Sequence, residues 1–371
     1  MRDNSIVGIS AVWDGCRFDL VEKPIRPAHR TIVRTIACGF CGTDRHALTR
    51  PDSVGVSAGH EMIGEIIHLG NNHRVLGGRP VRVGDRVVIV PGKSCGECYH
   101  CLTRTAQANL CSHRSVHGWS RFSAHHFYPA GGFSSAIELM DDAWLLPVPS
   151  DVTDDIATLA EPLAIAIRCV DRAIAGARPE RDLGSALAMR AAVVGLGSIG
   201  SLVAYVLRGF GAQVVGFDIS DAKCRAFTHR LGFRAARVVP DIATTHAEAI
   251  AGLQDLDDFD VVFECAGVIP AFVNALQIVR RGGRVVELGN YVQDDTAPID
   301  PAWICRKEIE IFGSVYANPF TYERVFPVVH RFGEEGLAGV ITRKISLVGI
   351  NEVTTQHDND LKIVVTMAAQ Q

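Results

Sequence analysis

The chain has 371 residues, 47% of them hydrophobic and 21% charged, with a formal net charge of −4 at pH 7. That balance excludes a disordered or collagen-like chain, and it leaves no basic field to hold nucleic acid or an anionic membrane. The length exceeds one ordinary compact core, so two domains are expected.

The first 150 residues read as β-rich and irregular. Short runs such as Thr31–Ile36, Met62–Leu69 and Arg86–Val90 are separated by Gly, Pro, Asn and Asp. From about Thr158 short apolar strands alternate with helical stretches, at Ala191–Val194, Gln213–Phe217, Asp260–Phe263, Arg284–Leu288 and Glu308–Phe312. Such alternation predicts an α/β unit with a doubly wound parallel sheet. After about Ala317 the alternation stops, and the tail is expected to pack back on the first domain. Ala191–Leu207 is uncharged but interrupted by glycine, so it reads as strand, turn and helix rather than a membrane span.

Within the β-rich part, Gly39-Phe40-Cys41-Gly42-Thr43-Asp44-Arg45-His46 supplies a thiolate, a hydroxyl, a carboxylate and an imidazole. Gly59-His60-Glu61 adds an imidazole and a carboxylate, and Glu161 stands in the mainly apolar stretch Leu159-Ala160-Glu161-Pro162-Leu163, where it needs a partner. Cys, His and Glu with an open fourth position make a catalytic zinc site. Each also has a plain explanation: Cys41 pairs with Cys38, His60 is a satisfied polar residue, Glu161 caps a helix. Composition and spacing leave both readings open.

Cysteine is abundant, with eleven in the chain, and four fall within Cys95–Cys111. A secreted disulfide scaffold is normally short, and the opening Met1-Arg2-Asp3-Asn4-Ser5 has no apolar run of a signal peptide. The expectation is a reducing cytoplasm with metal-bound thiolates. Cys95, Cys98, Cys101 and Cys111 follow C-x2-C-x2-C-x9-C, which suits a closed tetrahedral zinc site of structural role. An iron–sulfur cluster also takes four cysteines, but nothing else here suggests electron relay.

The strand Ala191–Val194 runs into Gly195-Leu196-Gly197-Ser198-Ile199-Gly200, a G-x-G-x-x-G turn between a strand and an amphipathic helix. Gly195 permits the tight turn, Gly197 lets backbone approach a pyrophosphate, and Gly200 lets the helix sit close to the sheet. Free N–H groups at Ser198 and Ile199 face the phosphates. Asp218 closes the next strand, placed to accept hydrogen bonds from the adenosine ribose and to repel a 2′-phosphate. Ile219 and Ser220 follow it, so no arginine adjoins it to favour NADP, and NAD is the expected cofactor.

Together these segments resemble the zinc-dependent medium-chain dehydrogenase/reductase family of alcohol, sorbitol, butanediol and threonine dehydrogenases. The matched stretches are Cys41-Gly42-Thr43-Asp44, Gly59-His60-Glu61, Gly84-Asp85-Arg86-Val87, the four-cysteine lobe, Gly131-Gly132-Phe133, Glu161-Pro162-Leu163, Gly195–Gly200 and Gly282-Gly283-Arg284, in the family's order. The resemblance implies a GroES-like β-barrel catalytic domain over 1–161 with a zinc lobe at about 92–113. It further implies a Rossmann domain over 162–316 and a C-terminal return over 317–371.

By the same resemblance Cys41, His60 and Glu161 hold a catalytic zinc, and Glu161 places the chain in the polyol and threonine branch. Glu61 matches a carboxylate that exchanges with water on that metal. Asp44 orients the histidine, Thr43 and His46 relay the proton, and the four cysteines bind a second, structural zinc. The implied reaction is hydride exchange between NAD and a secondary alcohol: a polyol, sugar, cyclitol or amino alcohol. The implied assembly is a homodimer or homotetramer, with Glu308–Phe312 as the pairing edge. Competing readings are a zinc-free quinone or enone reductase of the same fold and a non-catalytic NAD-binding protein; both lack a use for two metal clusters. The last gap in the cysteine lobe is longer than the family's usual spacing, so the loop must bulge. Ser115–Ala130, with His117, Trp119, Arg121, His125, His126 and Tyr128, is unlike the common members; it either shapes the substrate pocket or is a surface insertion, and the pocket is favoured because loops carry specificity.

Overall fold

The computed structural model describes residues 6–25, 29–121, 131–175, 189–237, 259–289, 296, 299–355 and 357–367. The first part runs β1 (Ile6–Trp13), β2 (Phe18–Ile25), β3 (Ile32–Phe40), α1 (Gly42–Leu48), β4 (Val56–Ala58), β5 (Glu61–His68), β6 (His73–Val75), β7 (Arg86–Val90), β8 (Gly92–Lys93), α2 (Tyr99–Thr103), β9 (Ser115–Val116), β10 (Trp119–Arg121), β11 (Ala136–Glu138) and β12 (Ala143–Pro147). The middle runs α3 (Asp154–Thr158), α4 (Ala160–Ala175), β13 (Arg190–Val194), α5 (Ser198–Gly209), β14 (Gln213–Asp218), α6 (Asp221–Leu231), β15 (Arg234–Arg237), β16 (Phe259–Glu264), α7 (Ile269–Ile278), β17 (Val279–Glu287), α8 (Pro301–Lys307) and β18 (Glu310–Gly313). The end adds α9 (Pro319–Tyr322), α10 (Val325–Phe332), β19 (Ile341–Ser346) and β20 (Lys362–Thr366).

Two mainly antiparallel sheets build the first unit. One has the order β10-β4-β1-β2; the other runs β19-β20-β3-β5-β7-β12-β6, with β11 added on β3. They enclose a core that includes Trp13, Phe18, Phe40, Met62, Phe133 and Ile363. β20 enters this sheet antiparallel to β3, with Ile363 opposite Phe40. The last strands therefore complete the sheet that the first ones begin.

The second unit is a parallel sheet of order β15-β14-β13-β16-β17-β18. The chain leaves β13 in one direction to β14 and β15, then returns to β16 on the other side. The crevice at the carboxyl ends of β13 and β16 is thus the topological switch point, where open α/β sheets take ligands. The helices of this unit start and stop by local chemistry. Ser220 Oγ caps α6 by accepting from Lys223 N, and Gly232 ends it with φ +70°. Asp300 caps α8, Pro301 begins it, and Glu308 closes it in a left-handed conformation. That closure explains why β18 begins at Glu310 rather than at Glu308.

Helix α4 ties the units together. Its residues Leu163, Ile167 and Val170 belong to one buried cluster. That cluster also contains Ile63 and Val88 of the first unit and Val193, Leu202 and Val261 of the second.

Candidate metal centre and cofactor crevice

β3 ends at Phe40, and Cys41 caps the short helix α1 in extended backbone (φ −95°, ψ 155°). His60 lies just before β5 and Glu61 opens it, across from Gly39 in the β3–β5 register. This pairing brings one donor atom each of Cys41, His60 and Glu61 within 4.8 Å of one another. Cys38, by contrast, is a fully buried core residue, and all eleven cysteines are free thiols. The Cys38–Cys41 pairing is therefore not formed.

Asp44 is wholly buried and organises the cluster. Its Oδ1 accepts from His60 Nδ1 at 3.1 Å, and its Oδ2 accepts from the backbone N–H of Cys41 at 2.9 Å. One carboxylate thus fixes both a donor residue's main chain and the imidazole. Burial alone would lower the His60 pKa. The charge and hydrogen bond of Asp44, with those of Cys41, instead hold it well above the usual imidazole range.

Glu61 is engaged from the other side. Lys362, the first residue of β20, donates to its Oε1 at 2.7 Å and its Oε2 at 2.6 Å, and both side chains are buried. Here burial would lower the lysine pKa, and the negative charges of Glu61 and Cys41 more than reverse that. Gly39 makes the geometry possible: a Cβ there would lie 2.0 Å from Glu61 Oε2.

Glu161, in the first turn of α4, stands outside the 4.8 Å group. It is buried, however, and burial together with the charge of Glu161 holds the phenol of Tyr322 in α9 well above its ordinary range. Burial, then the charge of Glu61, pushes Glu161 up to about 7, while His60, Lys362 and Arg114 act against that rise. The donor set of thiolate, imidazole and carboxylate fits a zinc ion, with Glu61 nearer than Glu161 in this conformation. Thr43 is half-buried in the first turn of α1, and His46 is exposed in its last turn, so the two relay candidates lead from the cluster toward solvent.

The second cluster is local. The four sulfurs of Cys95, Cys98, Cys101 and Cys111 lie within 4.8 Å of one another. Backbone N–H groups of Cys101 and Ser112 pull the Cys98 thiol down to about 5, favouring a thiolate. The longer last gap is absorbed by a short 3-10 turn, Thr105–Leu110. Beyond the lobe, His117 is buried and Arg114 lies 4.3 Å over the Tyr316 ring. His125, His126 and Tyr128 lie outside the described residues, as do the side chains of Trp119 and Arg121.

At the switch point Gly195 takes φ +95°, and a Cβ on it would meet Ala266 N at 2.5 Å. Ser198 Oγ, in the first turn of α5, is buried with no hydrogen-bond partner among the described residues, as expected where a phosphate oxygen belongs. Asp218 reaches back to the turn: Oδ2 accepts from Leu196 N at 2.8 Å and Oδ1 from Ser220 N at 2.8 Å. Gly197 and Ile199 are half-buried, while Gly200 is buried, its Cβ position 2.0 Å from Gly195 O. The cradle fits a dinucleotide. One feature corrects the expectation that no arginine adjoins Asp218. Arg237 of β15 sits opposite it in register and donates to Ile219 O at 3.3 Å.

Sequence reasoning missed Lys362 and Tyr322. A signal existed for the lysine: it is the one charge in the apolar run Leu361–Val365, where an ammonium needs a partner. Tyr322 left none.

Fold and site together define a two-domain, metal- and nucleotide-dependent oxidoreductase. Residues 27–150 match the family model of the alcohol dehydrogenase GroES-like domain, and residues 198–331 match that of the zinc-binding dehydrogenases. Sorbitol dehydrogenase of Halalkalibacterium halodurans is 30% identical over 317 residues, covering 82% of each chain. D-altritol 5-dehydrogenase of Agrobacterium fabrum is 30% identical over 308 residues, covering 81% of each. In fold the chain is similar to an alcohol dehydrogenase of Thermotoga maritima, at TM-score 0.82 and 22% identity over 97% of this chain and 99% of that one. The chain belongs to the zinc-dependent medium-chain dehydrogenase/reductase family, in its polyol branch.

Proposed function

We propose that this chain oxidises a secondary alcohol of a polyol, sugar, cyclitol or amino alcohol with NAD, reversibly, at the Cys41–His60 cluster. The observation that carries it is the convergence of Cys41, His60 and Glu61 within 4.8 Å, braced by a buried Asp44. Cys41 and His60, with Glu61 or Glu161, would hold the catalytic zinc, and the four cysteines a structural one. When bound, the zinc supplies a Lewis acid that acidifies the alcohol, and NAD supplies the hydride acceptor.

The chain's own residues do the rest. Asp44 holds the imidazole tautomer and the Cys41 backbone. Thr43 Oγ takes the alcohol proton, and His46, exposed at the end of α1, passes it to solvent. Gly195, Gly197, Ser198, Ile199 and Gly200 seat the pyrophosphate, and Asp218 takes the adenosine ribose.

We read residues 1–161 as the catalytic domain, 162–316 as the NAD-binding domain and 317–371 as the return to the first. Free thiols throughout support a reducing, cytoplasmic location. The edge position of β18 supports pairing of two copies, which light scattering would test.

Metal analysis and a panel of polyols with NAD, read as NADH absorbance, test the reading. Two zinc ions per chain and turnover of at least one polyol are expected. Cys41→Ala should abolish turnover while NADH binding persists; full activity in that variant overturns the assignment.

A further inference from the structure

We propose that the cavity between the β1–β2 turn and helix α1 binds a small monocarboxylate with a planar apolar body, its carboxylate held by Arg45 and Trp13. The cavity shares no lining residue with the Cys41–His60–Glu61 cluster, so the inference goes beyond the proposed reaction and stands apart from it.

The cavity measures about 400 Å³, within the range of small-molecule sites. Phe40, Leu48 and Val54 give it apolar walls, and no Asp or Glu is among its lining residues. Most of the polar groups that line it are already engaged. Thr49 Oγ1 donates to His46 O at 2.7 Å, Ser53 Oγ to Arg50 O at 2.6 Å and Thr354 Oγ1 to Asn351 O at 2.7 Å. Arg50 is paired with Asp52, Nε to Oδ1 at 3.4 Å.

Two donors are left over. Trp13 is only 7% exposed, and its Nε1 is buried with no hydrogen-bond partner among the described residues. An indole N–H can only donate, and burying it without an acceptor costs free energy. The half-buried Arg45 lies over the Phe40 ring, 5.5 Å from its centroid, and makes no hydrogen bond or ion pair among the described residues. Asp360, whose charge reaches it, is committed to Arg343, Oδ2 to Nη2 at 2.9 Å. Burial draws the Arg45 pKa below the ordinary arginine range, against the charge of Asp360 and with that of Arg343. A cation so placed is stabilised by an anion brought to it.

The donor set defines the ligand. A guanidinium and one N–H suit the two oxygens of a single carboxylate, in charge-assisted hydrogen bonds. One positive charge is balanced by a monoanion; a phosphate dianion would bring a second negative charge against apolar walls. Phe40, Leu48 and Val54 remain to cover a flat hydrocarbon body.

The test is a fluorine NMR titration of the full chain with 4-fluorobenzoate, with neutral 4-fluorobenzamide and inorganic phosphate as comparators. The wild type should bind the carboxylate with a Kd of about 1 mM or tighter. The amide should bind at least tenfold more weakly, and phosphate should displace the carboxylate at no less than tenfold higher concentration. Arg45→Met, which keeps the stem on Phe40, should weaken binding at least tenfold, and Trp13→Phe at least threefold. Absence of binding by the wild type, equal affinity in Arg45→Met, or amide or phosphate binding as tight as that of the carboxylate overturns the proposal. So does loss of binding in Cys41→Ala, which would place the ligand at the metal cluster. A further measurement needs no variant. Cys16 lines the cavity with an exposed thiol, whereas Cys305 is exposed elsewhere. Saturating 4-fluorobenzoate should slow alkylation of Cys16 by iodoacetamide at least threefold, read by peptide mass spectrometry, and leave Cys305 unchanged; an unchanged rate at Cys16 also overturns the proposal.

Discussion

Lys362 and Glu61 show what single residues do here: each would be intolerable where it is without the other. Removing one partner of a buried ion pair leaves an uncompensated charge, at a cost of about 3–5 kcal/mol. Lys362→Met should therefore lower the urea midpoint sharply, and adding Glu61→Gln to it should recover most of the loss. Equal stability of Lys362→Met and wild type would show that the pair carries no weight. Asp218 makes a second prediction at this scale. On the proposed reading its charge would repel a 2′-phosphate, and Arg237 stands in register beside it. Asp218→Ser should shift the ratio of kcat/KM for NAD to that for NADP by tenfold or more toward NADP. An unchanged ratio would remove Asp218 from cofactor choice. Cys41, Thr43, Asp44, His60 and Glu61 were legible in the sequence because each motif carries its chemistry within a few residues. The Glu61–Lys362 pair was not, because residues 301 apart in sequence meet only once β20 has joined the sheet beside β3.

Among the elements, the four-cysteine lobe gathers its sulfurs locally, while Asn109 Nδ2 to Val315 O at 2.9 Å and Asn318 Nδ2 to Ala106 O at 3.0 Å tie it to the chain before α9. Its α2 has no buried residue, and its sulfurs do the work a core would do elsewhere. Cys111→Ser should release one zinc per chain and open Tyr99–Leu110 to limited proteolysis while the main melting transition moves little. A variant that keeps both metals, or resists protease as the wild type does, would contradict this. The strands of the parallel sheet were readable as apolar runs because a sheet covered on both faces has no polar side to hide them. Their ends were less so. β17 begins at Val279 rather than Arg284, ahead of its glycines, because Val279 pairs with Phe259 before the register shifts.

For the whole molecule, the continuous cluster through α4 decides how the two units behave. Units joined by a small polar interface unfold separately; here the apolar core of each runs into the other through Leu163, Ile167 and Val170. Calorimetry should show one cooperative transition with equal calorimetric and van't Hoff enthalpies. Two resolved transitions would mean that α4 does not couple the units. Helix α4 also carries Glu161, so the same element that joins the cores brings a buried carboxyl near the Cys41–His60–Glu61 cluster.

Local chemistry was enough to determine the two-part organisation, the dinucleotide turn and the cysteine lobe, because spacing within one segment already specifies which atoms can converge. The candidate ligands Cys41, His60 and Glu161 stand in three separate segments, and only the resemblance to a known family joined them in the sequence. Tertiary structure alone decided that Glu61 is clamped by Lys362, that Glu161 is buried close enough to Tyr322 to raise its pKa, and that Arg237 reaches the Asp218 strand end. Those contacts join segments up to three hundred residues apart, and strand register and burial, which create them, are properties of the folded chain.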